Sequence, residues 1–258
     1  MNYKYTLIRS KKDERDIRFS EFILPHSDVV LPKSVDLRPK CPPVYDQGDL
    51  GACTAFTGCV CREMLTGDKS VNLSKLFLYF VERGLEGDIK KDSGASLKDT
   101  CKAMHKIGVC EEKYMPYDIS KFTAIPKKKA FINAAQYRIT AYKLLDSLDE
   151  IKQNLALRQQ PVMMGMDVYE SFESDVIAKT GIMSMPGSKE KKLGGHAVLV
   201  VGYRDIIKSY GMFYKNQVKT GSLIVRNSWG SNWGDKGYFH MPYDYVTPEN
   251  TYDYWIME

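Results

Sequence analysis

Residues 225–239 read VRNSWGSNWGDKGYF, and the fold turns on how that stretch is parsed. The run it closes, GSLIVRNSWG (221–230), is rich in β-branched residues and bounded by glycine. GYFHM (237–241) is aromatic and opens on Gly237. Both have the composition of short strands ended by glycine turns. Upstream, HAVLVVGY (196–203) is a third such run, headed by Gly194, Gly195 and His196. Asn227, Ser228 and Trp229 therefore stand at the end of one strand, and His196 at the start of another.

The chain changes character near residue 126. Ahead of it the periodicity is helical: Phe56, Val60 and Met64 recur at four-residue spacing after Cys53. Leu76 and Phe80 follow Asn72 and Ser74, either of which can cap a helix. Ser96 opens a third helix that Gly108 is placed to end. Behind residue 126 strands dominate. One helix interrupts them, opened by the capping-box spacing of Ser147 and Glu150 and stopped by Pro161. The expectation is an α+β chain with a helical lobe at about 45–125, a β-rich lobe at about 126–258 and a cleft between them.

The 258 residues are 43% hydrophobic and 27% charged, with net charge +5. That composition is ordinary for a soluble globular protein, and the charge is too mild to point to a nucleic-acid partner. The lysine runs at 127–129 and 189–192 read as solvated loops. No apolar run approaches the roughly 20 residues that span a bilayer, and residues 1–20 have no signal-like apolar core. The expectations are no membrane partner and a cytoplasmic or particle-packaged location. The six cysteines, at 41, 53, 59, 61, 101 and 110, read as reduced thiols. Cys59-Val60-Cys61 lacks the gap of a zinc half-site, so no metal or cofactor is expected.

DQGDLGACTAF (46–56) sets a cysteine at the first turn of a helix, where free N–H groups and the positive dipole end favour thiolate. Gly51 and Ala52 let a substrate backbone approach. A thiolate nucleophile needs a proton carrier, and His196 can serve. The Asn227 carbonyl can fix its tautomer. Gln47 can stabilise an oxyanion alongside the Cys53 N–H.

YDQGDLGACTAF, GGHAVLVVGY and VRNSWGSNWGDKGYF resemble the papain/cathepsin family of cysteine peptidases, from SVDLRPK (34–40) through GYFHM. The resemblance implies a two-lobe papain-like fold with a β-barrel-like C-terminal lobe. It implies a monomeric endopeptidase of protein or peptide substrates, working through a Cys53 thioester. His196 would be the general acid/base, Asn227 its orienter and Gln47 the oxyanion donor. Trp229 would shield the His196–Asn227 contact. Ser93, Gly94, Ala95, Gly195 and Ala197 would line the substrate cleft. A catalytically inactive binding module and a peptide ligase stay open as alternatives.

Departures from the family pattern are Thr54, where an aromatic is usual, Ser93, where a glycine is usual, and Leu50, where a cysteine is usual. The family disulfide at Leu50 therefore cannot form. Ala95, Gly165 and Ala197 are small, which implies a roomy apolar specificity pocket. Residues 1–33 carry Phe22, Ile23 and Leu24, too apolar for a free tail. They form either a short prosegment in the cleft, with Phe22 to Leu24 in the subsites and a cut near Lys33-Ser34, or an arm on the back of the lobes.

Overall fold

The computed structural model describes residues 3–22, 30–205 and 221–258. Helix α1 (Cys53–Thr66) starts after Ala52 with no side-chain cap, so its first N–H groups stay available. Gly67, in the left-handed conformation, ends it. Helix α2 (Lys75–Glu86) is capped by Ser74, whose Oγ accepts from Phe77 N at 3.1 Å. Asn72 instead receives the Lys75 ammonium. Helix α3 (Leu97–Lys106) is capped by Ser96, and Gly108 follows it with φ +88°.

α1 is buried on nearly every face because it packs on α2, α3 and the sheet at once. Glu63 of α1 and Lys75 of α2 form an enclosed ion pair at 3.0 Å, and Glu63 also accepts from Leu73 N at 2.7 Å. That pair holds α1 to α2 and so fixes where its first residue, Cys53, lies.

The strands are β1 (Ser34–Asp36), β2 (Tyr142–Leu145), β3 (Val162–Tyr169), β4 (Lys192–Arg204), β5 (Ser222–Arg226), β6 (Tyr238–Pro242) and β7 (Thr251–Met257). They make one antiparallel sheet in the order β2-β7-β3-β4-β5-β6. β1 pairs with residues 202–204 of β4, taking over the edge where β3 stops. The expected barrel-like lobe is thus an open sheet, with β2 and β6 as its outer strands among the described residues. β3 and β5 are almost wholly buried, so they read as continuous apolar runs rather than alternating ones.

Short helices α4 (Lys128–Ala134), α5 (Leu148–Gln153) and α6 (Asp175–Thr180) fill the periphery. α5 has the expected Ser147 cap on Glu150 N, at 3.2 Å. The two halves are tied by Gln47 N donating to Ser228 O at 2.9 Å and Gly230 N to Tyr45 O at 3.1 Å. The buried Arg226 guanidinium adds a bond to Pro42 O at 2.6 Å.

The N-terminal segment uses both placements that its sequence left open, with different residues. Residues 3–10 run along the face where the halves meet, and Arg18 bridges to Leu144 on the outer strand β2. Phe19 is 1% exposed in the core, whereas Phe22 is 60% exposed beside Lys143. Phe22 therefore fills no subsite; Ile23 and Leu24 lie outside the described residues.

Glu63→Gln would leave the Lys75 ammonium buried and unpaired. We expect a loss of roughly 3–5 kcal/mol, read as a lower denaturant midpoint; an unchanged midpoint would show that the pair does not hold α1 in place.

Candidate active site

Cys53 is the first residue of α1 and His196 lies on β4 opposite Met166 of β3. Asn227 follows β5, the neighbour of β4, so strand pairing delivers it to His196. The contact is His196 Nε2 to Asn227 Oδ1, at 2.9 Å. Asn227 Oδ1 also accepts from Ser228 N at 2.8 Å. With a backbone donor fixing the amide oxygen there, Nε2 carries the proton and Nδ1 keeps its lone pair. Nδ1 is buried and has no protein hydrogen-bond partner. The Trp229 ring lies 5.3 Å from the imidazole, tilted by 30°, beside the buried His196–Asn227 bond.

Gln47 is fully buried. Its Oε1 accepts from Ser228 Oγ at 2.5 Å and its Nε2 donates to Leu50 O at 2.9 Å. Tyr117 Oη donates to its carbonyl at 2.8 Å. One N–H of the amide is left over from these bonds. Asp92 braces the facing loops: it accepts from Gly51 N at 3.0 Å and Tyr79 Oη at 2.6 Å, and Tyr79 Oη accepts from Gly94 N at 3.1 Å. Neither Asp92 nor Ser228 stands out in the sequence as part of a site.

The N-terminal segment closes this cleft. Tyr3 stacks on Trp229, with centroids 4.0 Å apart. Tyr5 sets its edge to His196 and its hydroxyl on Glu173, at 2.6 Å. Lys4 pairs with Asp92 at 2.7 Å. Thr6 Oγ1 donates to Gly51 O at 3.1 Å, Leu7 N to Gly195 O at 3.1 Å and Ile8 N to Ala95 O at 3.0 Å. Gly94, at φ +77°, lies so close that a Cβ there would overlap the Thr6 carbonyl. The cleft residues expected from sequence are thus brought together, except that Ser93 takes no part in these contacts and its Oγ is buried without a partner.

The space that Gly165 and Gly195 leave open is shared by Tyr252 and Leu7. A Cβ on Gly165 would stand 2.6 Å from the Tyr252 ring and 2.9 Å from Leu7 Cδ2, and one on Gly195 2.6 Å from the Tyr252 hydroxyl. The small residues thus admit a bulky apolar side chain, with Tyr252 as one wall.

Burial sets the electrostatics. Cys53 and His196 are both 0% exposed. Lost hydration pushes the Cys53 thiol up to about 12, against the pull of the Ala197 amide. It pushes His196 down to about 4, against the Asn227 bond. The helix end favours thiolate, while burial opposes the charged form of both the thiol and the imidazole. All six cysteines are free thiols.

The family model for papain family cysteine proteases matches residues 31–255. The chain belongs to the papain family. An uncharacterised peptidase C1-like protein of Acanthamoeba polyphaga mimivirus is 36% identical over 285 residues, covering 100% of this chain and 86% of that protein. Cathepsin L of Sarcophaga peregrina is 29% identical, covering 93% and 67%. Among solved structures, xylellain, a cysteine protease from Xylella fastidiosa, superposes with TM-score 0.84 at 32% identity, covering 98% of this chain and 95% of that one. The protein is accordingly a papain-like cysteine peptidase, a hydrolase.

Proposed function

We propose that the protein is a papain-like endopeptidase made as a latent precursor, with Cys53 as nucleophile, His196 as general acid/base and residues 1–33 as its prosegment. The observation that carries this reading is the His196–Asn227 bond, which leaves Nδ1 as the free ring nitrogen in the cleft headed by Cys53.

With the cleft open, water and the helix end restore the thiolate, and the Cys53 proton passes to His196 Nδ1. The thiolate sulfur attacks the scissile carbonyl carbon. The oxyanion is held by the Cys53 N–H and the remaining Gln47 amide N–H. The C–N bond breaks as the imidazolium gives its proton to the leaving amine, and a thioester stays on Cys53. Water then attacks the thioester while Nδ1 takes its proton, releasing the acid and regenerating the thiol. Asn227 keeps the imidazole in one tautomer throughout.

Chain direction supports latency. A productive substrate sends its leaving amine toward His196 and its acyl part toward Gly94 and Ala95. It therefore runs with its C-terminal side at Trp229. The segment puts Tyr3 at Trp229 and Ile8 at Ala95, the reverse direction. It fills the cleft in the sense opposite to that of a productive substrate. Being tethered, it needs only modest intrinsic affinity. The Thr54 departure weighs little against activity, because its hydroxyl turns away to Glu82 at 2.8 Å.

Cys53→Ala should abolish peptide hydrolysis in protein that folds normally; near-wild-type turnover would sink the nucleophile assignment. Gln47→Ala should lower kcat roughly 100- to 1000-fold. The full-length chain should cleave a small peptide more slowly than the same protein trimmed ahead of Ser34. Equal initial rates without N-terminal processing would reduce residues 1–33 to a packing arm. Product masses with an added amine distinguish hydrolysis from acyl transfer.

A further inference from the structure

Past Leu7 the segment leaves the reacting groups and enters a second contact. The Arg9 guanidinium lies 4.0 Å over the Tyr252 ring and donates to Pro248 O at 3.3 Å. Ser10 N donates to Asp253 Oδ2 at 2.7 Å. Leu7 and Arg9 are two apart, so in an extended segment they point to the same side. The Leu7 site and the Arg9 site therefore share Tyr252, one against Gly165, the other across its ring.

Asp253 is held in an unusual way. Its φ is +56°, uncommon for a residue with a side chain. Around it β7 advances from Tyr252 to Trp255 while β3 advances only from Gly165 to Met163, which is a bulge. Bulges re-aim side chains next to active sites. Here the partly buried carboxylate meets Ser10, and its nearby cation is Arg9. Both partners belong to the N-terminal segment.

The neighbouring charges repeat the pattern. Lys98 of α3 pairs with Asp16 at 2.6 Å and Asp13 at 3.3 Å, again from the segment. The cavity between residues 8–13 and α3, about 490 Å³, adjoins this contact and mixes charges, with Glu86 and Asp99 beside Lys98 and Lys102. When the segment leaves, a carboxylate beside an aromatic face loses its cation. A guanidinium satisfies both features at once, by charge and by stacking.

We propose that Tyr252, Asp253 and the Pro248 carbonyl form a distal subsite that takes a cationic substrate side chain, two residues upstream of the residue in the Leu7 pocket. Its use in cleavage rests on the peptidase reading above; its binding chemistry does not. Substrate and segment run in opposite directions, but the ring and the carboxylate read a side chain, whichever way its backbone runs.

The test folds the full chain, trims it ahead of Ser34 and counts active sites with an epoxide thiol reagent. Peptides acetyl-Xaa-Ala-Leu-Ala-aminomethylcoumarin, with Xaa Arg, norleucine or Glu, then give kcat/KM. Arg should exceed norleucine by about tenfold, the scale of one charge-assisted contact, with Glu last. Asp253→Asn should narrow the gap between Arg and norleucine, leaving the part carried by the Tyr252 ring and the Pro248 carbonyl; asparagine tolerates the left-handed conformation, so the variant is expected to fold. In parallel, a labelled peptide of residues 4–12 is bound to trimmed Cys53→Ala protein. Norleucine for Arg9 should weaken it about tenfold, and by less in Asp253→Asn. Equal rates and equal affinities across Xaa, as when Lys98 swings over to neutralise Asp253, would overturn the subsite. A preference undiminished in Asp253→Asn would also overturn it. Selective binding without turnover of any peptide would retain the subsite and remove the hydrolysis reading instead.

Discussion

The site depends on helix α1 resting with its first turn against strand β4. Cys53 belongs to the helix and His196 to the strand, so the thiol and the imidazole meet only when the two halves pack. The Ala197 amide, next to His196, reaches the Cys53 sulfur. That geometry is overdetermined. The Glu63–Lys75 pair fixes α1 from behind, and the bonds between 45–47 and 228–230 fix the halves from in front. Those same bonds carry Gln47 and Asn227. The clamp that joins the halves thus delivers two of the four proposed catalytic groups, so any loosening of the clamp would mis-set the chemistry.

Burial opposes the charged forms of both proposed reacting groups in the covered cleft. A helix N-terminus contributes at most about 2 kcal/mol to a nearby anion, whereas removing water from a thiolate costs more than that dipole returns. On the proposed reading the segment suppresses nucleophilicity by occupying the cleft and by keeping water from Cys53.

Much of the site was legible because its chemistry is written in local motifs. The glycine-bounded strands place His196 and Asn227, and the helix start places Cys53. The misses have physical causes. Apolar density pointed to Phe22 among the cleft-filling residues, but it lies exposed beside Lys143, and Tyr3 to Ile8 occupy the cleft instead. Lys4-Tyr5-Thr6-Leu7 mixes charge, hydroxyl and apolar groups, with no periodicity to announce that it lies there. Tyr252 was invisible because a bulge decides which face of β7 it takes, and a one-residue slip flips every side chain. β1 is three residues long, too short for any periodicity. The open sheet differs from the expected barrel-like lobe because closure is a property of strand tilt and register, which alternation along single strands does not carry.

The glycines explain why one cleft can hold two chains running in opposite senses. Gly51, Gly94 and Gly195 each leave room that a Cβ would deny to Thr6 or Leu7. What they offer the incoming chain is mostly exposed peptide: the carbonyls of Gly51, Ala95 and Gly195 accept from Thr6, Ile8 and Leu7. An extended chain displays N–H groups at similar spacing in either direction, so these acceptors do not tell substrate from segment. The discrimination falls on the reacting atoms alone, where only one direction sets a leaving nitrogen beside His196. On the proposed reading, the carbonyls that grip a substrate are the ones that already hold Thr6, Leu7 and Ile8.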